Sequence, residues 1–195
     1  MVFASERLVV GLVATHVPLA RVPETITAAR YERTVRHLGE VLAALGGPRD
    51  GRRRRARVAL AAVNPHAGEG GLLGDEEARV LAPFAARADT DEIEIIGPVP
   101  ADAVFRDARA GRYDAVVAAY HDQAMIPLKL EGQGATANVT AGLPFVRTSP
   151  DHGVAYDLAG TGRADHAGMR RAIEIGVALW RGRGSIPRSR GEGAR

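Results

Sequence analysis

Three histidines follow three apolar runs, and that repetition is the chemical signature of the chain. Leu8–Ala14 leads to Thr15-His16, Val58–Val63 to Asn64-Pro65-His66, and Tyr113–Ala119 to Tyr120-His121-Asp122-Gln123. Imidazole suits a borderline divalent cation, and three imidazoles with one open position make a catalytic arrangement, because a closed shell cannot take substrate. The competing reading is three loop histidines that only make hydrogen bonds, and no spacing motif separates the two. With no cysteine in the chain, disulfides and thiolate sites are excluded. His37, mid-helix beside Arg36 and Glu40, is expected at the surface.

A second set of groups suits an anionic substrate. Lys129 is the only lysine among 26 Lys and Arg residues, and a compact ammonium is not interchangeable with a guanidinium. Lys129, Asn138 and Arg147 supply a cation, an amide and a second cation, a set fit for carboxylate and phosphate groups. Gly68, Gly70 and Gly71 permit close backbone approach before an acidic helix start, although this is neither a Walker loop nor a GxGxxG.

These groups need a scaffold that brings distant loops to one edge. The uninterrupted apolar runs predict strands buried on both faces of a parallel sheet, and open α/β sheets bind ligands beyond the carboxyl ends of such strands. Pro23 and Glu24 open a predicted helix with an apolar stripe Tyr31, Val35, Leu38, Leu42 and Leu45. Gly74–Glu77 start another, interrupted at Pro83, and Pro100–Ala110 forms a third. Further strands are expected at Glu92–Ile96, Ala137–Thr140 and Phe145–Thr148, a turn at Gly132–Gly134, and a loop at Ser149–Gly153. The His121 segment reads as a loop running into a short helical or irregular piece, and Met1–Glu6 carries no signal. The last helix, Asp165–Arg181, has two apolar stripes, so it is expected to pack on two sides with Trp180 in the core. The fold class is therefore α/β, a doubly wound and mostly parallel sheet.

Composition narrows the rest. At 195 residues and 46% hydrophobic, the chain fits one folded domain. No apolar run approaches the roughly 20 residues of a membrane helix, no secretory signal pattern opens the sequence, and the expected location is the cytoplasm. The net charge of +3 is concentrated in arginines 52–55 and 57 and in residues 181–195. These read as a solvated loop and a frayed basic tail, without the aromatic interleaving or motif of a nucleic-acid site.

Asn64-Pro65-His66-Ala67-Gly68-Glu69-Gly70-Gly71, Tyr120-His121-Asp122-Gln123, Gly142-Leu143-Pro144-Phe145-Val146-Arg147-Thr148-Ser149 and Asp151-His152-Gly153 with Leu158-Ala159-Gly160 resemble the PdxA family of 4-hydroxythreonine-4-phosphate dehydrogenases. The resemblance runs from Leu8 to about Trp180. It implies an isocitrate/isopropylmalate dehydrogenase-like fold over residues 1–182, with residues 183–195 a disordered basic tail. It also implies a divalent metal (zinc, magnesium or cobalt) on His16, His66 and His121, and substrate contacts from Lys129, Asn138 and Arg147. Lys129 and Asp122 would stand at the reacting centre, and NAD would contact His152, Gly153, Asp157 and Ala159. Relatives are longer and carry an upstream Gly-His-Thr segment, so the chain is expected to be truncated at its N-terminus relative to the family. The implied activity is oxidation and decarboxylation of 4-phosphooxy-L-threonine to 3-amino-2-oxopropyl phosphate, in pyridoxal phosphate synthesis. The implied assembly is a homodimer with His121 meeting His16 and His66 across the interface. Two alternatives stay open: a relative acting on a phosphorylated sugar acid or an aromatic cis-dihydrodiol, and a non-catalytic metal-binding remnant.

Overall fold

The apolar runs that precede the histidines become the middle of a sheet. The computed structural model describes residues 1–48, 54–132 and 135–182; part of the first arginine cluster, the turn at 133–134 and the tail 183–195 lie outside the described residues. Seven strands form the sheet: β1 (Val2–Ala4), β2 (Val9–Leu12), β3 (Ala56–Ala61), β4 (Ile93–Val99), β5 (Ala115–Ala118), β6 (Ala137–Val139) and β7 (Thr148–Pro150), in the order β4-β3-β5-β2-β1-β6-β7. The β4-β3-β5-β2 pairings are parallel and the remaining three antiparallel. Five strands, β2 to β6, consequently point the same way, with β1 and β7 against them.

Helices cover both faces. α1 (Val22–Thr25), α2 (Ala28–Ala44), α3 (Ala82–Ala85) and α6 (Ala167–Gly182) join one apolar core through Val22, Tyr31, Leu38, Phe84 and Ile175. On the opposite face, α4 (Ala101–Arg109) and α5 (His121–Gly132) bury Val104, Phe105, Met125 and Leu128 against Phe3, Val10 and Val116. Each fully buried side chain of this size stabilises the fold by about 1.5–3 kcal/mol. At the amino end of β3 and β5, the buried Asp114 accepts hydrogen bonds from Arg54 Nη1 (2.6 Å), Arg54 Nη2 (2.9 Å) and the Arg57 backbone N–H (2.7 Å).

Several expectations are corrected. β1 forms where the sequence carried no signal, paired between β2 and β6. Ser5 closes the turn into β2, its N–H donating to the Leu8 carbonyl (2.8 Å) and its hydroxyl accepting from the Leu8 N–H (3.0 Å). The helix predicted from Pro23 is broken, because Ile26 is extended and Thr27 caps α2 by accepting the Arg30 N–H. Glu77–Leu81 adopts a π turn that runs directly into α3, so Pro83 lies inside one continuous helical stretch. β7 starts at Thr148 rather than Phe145, and Phe145 is exposed.

Trp180 is not a core residue: it is 71% exposed, and Met169, Ile173 and Val177 share that outward stripe. The inner side of α6 is the small one, with Ala172 and Ile175 buried. Thr148 donates its hydroxyl to the Ala172 carbonyl (2.9 Å), and a Cβ on Gly176 would meet Thr148 Oγ1 at 3.0 Å. Such close approach excludes the bulky stripe from the inner face. His37 is half-buried rather than exposed, pairing with Glu40 (3.2 Å).

Candidate functional site

His16 follows β2, His66 follows β3 and His121 opens α5 directly after β5, so all three leave the carboxyl edge of the parallel strands, as the apolar runs predict. Within one chain the structure pairs His16 with His121, their ring centroids 5.3 Å apart. β2 and β5 are hydrogen-bonded neighbours, and their loops therefore adjoin. β3 lies on the far side of β5, and among the described residues no group of three His, Cys, Asp or Glu side chains is close enough to hold a metal. The expected grouping of His16 and His66 in one chain, with His121 reaching in from the partner, is thus not the pairing the single chain displays.

The pair fits a cation. Two imidazole nitrogens about 2.0–2.1 Å from a tetrahedral ion put the ring centroids about 5 Å apart. His121 Nδ1 lies 2.6 Å from Asp122 Oδ1. The ionised carboxylate only accepts, so Nδ1 is the donor and the ring turns Nε2 outward, the carboxylate–histidine arrangement of metal sites. Asp122 is therefore an orienting group for His121. His66 shows a looser version, Nδ1 to Glu69 Oε1 at 3.5 Å, and is 72% exposed. A cavity of about 390 Å³ opens beside the pair, lined by Thr15, His16, Leu19, Tyr120, His121 and Asp122.

The loop after β3 is conformationally unusual. His66, Ala67, Gly68, Glu69, Gly70 and Gly71 all have positive φ. Three of them carry a Cβ, and holding a non-glycine residue left-handed costs about 1–2 kcal/mol each. Two buried side chains hold the strand ends around this turn. Gln123 accepts the Ala119 N–H on Oε1 (2.7 Å) and donates from Nε2 to the Ala62 carbonyl (2.6 Å), tying β5 to β3. Glu77 accepts the Val63 and Asn64 N–H groups on Oε1 (2.8 Å each) and Asn64 Nδ2 on Oε2 (2.9 Å). Asn64 Nδ2 also donates to Glu76 Oε2 (2.6 Å), and this bond is the main cause holding the Glu76 carboxyl below its ordinary pKa. The sequence pattern marks Glu77 only as part of an acidic helix start and gives Gln123 no role. The available signal was an acidic doublet returning just after a loop rich in unsatisfied N–H groups.

The substrate set is distributed. Lys129 sits eight residues along α5 from His121, about 12 Å at 1.5 Å per residue. Its Nζ approaches the Asp151 carbonyl (3.4 Å) and Oδ2 (3.6 Å), and Asp151 follows β7, which runs back to the amino-terminal edge. Lys129 and the His16–His121 pair accordingly occupy opposite ends of α5. Asn138 lies mid-strand in β6 between Phe3 and Ser149, its Oδ1 buried and without a hydrogen-bond partner. Arg147 returns to the carboxyl edge, where Nη1 donates to Thr140 Oγ1 (2.6 Å) beside a cavity of about 50 Å³, large enough for water but not for a substrate. His152, Gly153, Asp157 and Ala159 are exposed on the segment between β7 and α6, together with Val154 and Tyr156.

Comparison with known proteins places this architecture. The family described as "Pyridoxal phosphate biosynthetic protein PdxA" matches residues 1–176. A 4-hydroxythreonine-4-phosphate dehydrogenase of Geobacter metallireducens is 49% identical over 185 residues, 95% of this chain and 53% of the relative. A D-threonate 4-phosphate dehydrogenase of Salmonella typhimurium is 44% identical over 179 residues, covering 92% of this chain and 53% of the relative. The crystal structure of a 4-hydroxythreonine-4-phosphate dehydrogenase from Klebsiella pneumoniae superposes with a TM-score of 0.76 at 42% identity, over 91% of this chain and 53% of that one. The chain thus spans about half the length of the curated relatives it matches. An octapeptide on a left-handed turn, a paired-histidine rim and a mixed sheet matched over nearly its whole length leave one assignment: the chain belongs to the PdxA family.

Proposed function

We propose that the chain forms part of an NAD-dependent, metal-assisted dehydrogenase that oxidises and decarboxylates 4-phosphooxy-L-threonine. The hydroxyl carbon is oxidised to a ketone, hydride goes to the nicotinamide and a proton to solvent. The resulting β-keto acid loses CO₂ to give 3-amino-2-oxopropyl phosphate. The observation that carries this is the His16–His121 pair, spaced for one cation at the carboxyl edge of parallel strands, with Asp122 fixing the tautomer of His121.

A bound divalent ion would be held by His16, His121 and His66 and would supply Lewis acidity at the substrate hydroxyl, while NAD, contacted by the exposed 152–159 segment, would accept the hydride from the substrate's hydroxyl carbon. Asp122 orients the His121 ring through Nδ1, so that Nε2 faces the ion. The Lys129 ammonium stabilises the negative charge left on the substrate as CO₂ departs. Asn138 Oδ1, buried and unpartnered, accepts a hydrogen bond from the substrate. Arg147 binds an anionic end of the substrate.

In a single chain the histidine pair and Lys129 stand at opposite ends of α5, and His66 stands apart from the pair. Two copies packed so that the Lys129 end of α5 in one meets the histidine rim of the other would complete the set, making the working unit a homodimer. The 44%-identical relative named for D-threonate 4-phosphate supports a second substrate, since Lys129 and Arg147 select anions and not the group on the neighbouring carbon. NADH formation with each substrate, with and without added zinc or cobalt, tests both. Turnover of the first alone supports the proposal, and turnover of the second alone replaces it. Binding of metal without NAD reduction by either, in a chain supplied with the relatives' upstream half, refutes the dehydrogenase assignment.

A further inference from the structure

We propose that Glu77 is the positioning residue for His66, its buried carboxylate holding the left-handed turn that presents this imidazole; this rests on the assignment of His66 as a metal ligand. Glu77 is 5% exposed, and among the described residues it forms no ion pair. Its oxygens are instead committed to the chain that starts the turn: Val63 N–H, Asn64 N–H and Asn64 Nδ2. The same carboxylate lies under the middle of the turn, where a Cβ added to Gly68 would meet Glu77 Oε2 at 2.9 Å and the Gly74 carbonyl at 2.9 Å. The far side is closed by the Leu73 N–H donating to the Gly68 carbonyl (3.1 Å).

Left-handed backbone at residues with a Cβ persists only where the surroundings over-determine it. Here one side chain touches both the start and the centre of the turn. Burying a carboxylate without a cation is costly unless N–H donors satisfy it, and these donors all belong to the segment leading to His66. Beside it stands Tyr31, fully buried with its hydroxyl unpartnered; burial first, and the Glu77 charge second, push its pKa well up.

Cobalt(II) titration of the full chain, followed by visible absorption and calorimetry, tests the assignment with Glu77→Gln, which keeps the volume and removes one accepting oxygen. The expected result is a 10- to 100-fold loss of cobalt affinity, the range for groups that orient metal ligands. At the same time amide exchange accelerates at least tenfold at Val63 and Asn64 and stays unchanged in β2 and β5. Glu77→Asp, which keeps the carboxylate but draws it back from the Val63 and Asn64 N–H groups, is expected to reproduce both effects and carries the test if Glu77→Gln does not fold. Parent-like affinity and protection in either folded variant overturns the role of Glu77. Uniformly faster exchange across the sheet also overturns it, because that is loss of structure and not of position. His66→Ala separates the two levels: undiminished cobalt binding in this variant, or none in the parent chain, overturns the assignment of His66 as ligand and this proposal with it.

Discussion

Gln123 is the strongest point at which to test whether the rim is held by side chains at the strand ends. Its amide accepts the Ala119 N–H and donates to the Ala62 carbonyl, and both alanines are fully buried. Gln123→Leu keeps the approximate volume and orphans both backbone groups. Each unsatisfied buried group costs about 1–3 kcal/mol, and extra apolar burial returns about 1 kcal/mol, leaving a loss of about 3 kcal/mol. For a domain of this length, 1 kcal/mol moves Tm by about 2–4 °C, so a fall of about 6–12 °C is expected in calorimetry, with a matching shift of the urea midpoint.

Gln123→Glu supplies the pH control. The new carboxyl must stay protonated to donate to the Ala62 carbonyl, and its ionised form sets negative charge against that oxygen. Its folded-state pKa is raised above the ordinary value of about 4.3. The stabilising share is accordingly present below about pH 4 and lost as pH rises through the raised value. Gln123→Glu should match the parent near pH 4 and fall behind it at pH 7–8. A Gln123→Leu Tm within 2 °C of the parent, or a Gln123→Glu deficit that does not grow with pH, would refute the bridging role.

Glu76 titrates in the opposite sense: its pKa is lowered from the ordinary 4.5, chiefly by the Asn64 hydrogen bond, so its contribution is present above that value and lost as pH falls through the depressed one. Glu76→Gln should flatten the acid limb of urea stability between about pH 5 and 3; an unchanged limb would refute the coupling. Ile175→Ala, on the buried side of α6, should cost about 2–5 kcal/mol, whereas Trp180→Ser should change stability by under about 0.5 kcal/mol in the same unfolding assay. Comparable losses would mean that α6 packs on its bulky stripe after all. His16→Ala should abolish zinc uptake measured by calorimetry, while Arg55→Ala, whose guanidinium pairs with the exposed Asp89 far from the rim, should leave it unchanged; loss in the second variant would misplace the site.

The strands that organise the fold were legible because apolar runs such as Val58–Val63 are long enough to exclude other readings, and the turn residues after them mark where they stop. β1 was not legible: three residues carry no periodicity, and Val2–Ala4 is a strand only because β2 and β6 pair with it on either side. α6 exposed a different limit. Two apolar stripes were visible, but which one faces inward depends on how close α6 comes to β7, set by Ala172 and Gly176 against Thr148. The site divides likewise. That His16 and His121 adjoin follows from β2 and β5 being neighbours, a sheet order that no single-sequence pattern fixes. The family resemblance puts Lys129 at the reacting centre, and within one chain helix geometry sets it at the other end of α5 from His121.

Gln123 and Glu77 share a topology that explains how a strained rim is tolerated. Each lies in the first turns of helical structure after a loop, and each folds its side chain back onto the end of the strand from which that loop departed: Gln123 onto Ala119, Glu77 onto Val63 and Asn64. The loops are thereby closed locally, strand end to helix start, before any tertiary contact is counted. Gln123 adds a cross-tie to Ala62, so the loop carrying His121 and the loop carrying His66 are both referenced to residues 62–64, the stretch that extends β3. Left-handed backbone at His66, Ala67 and Glu69 then costs a few kcal/mol against hydrogen bonds that exist only in that geometry. Release of either tie frees the turn to relax toward right-handed or extended backbone and swings the His66 imidazole away, while the apolar sheet beneath remains intact. Precision at this rim is thus a property of two buried polar side chains and not of the apolar packing beneath them.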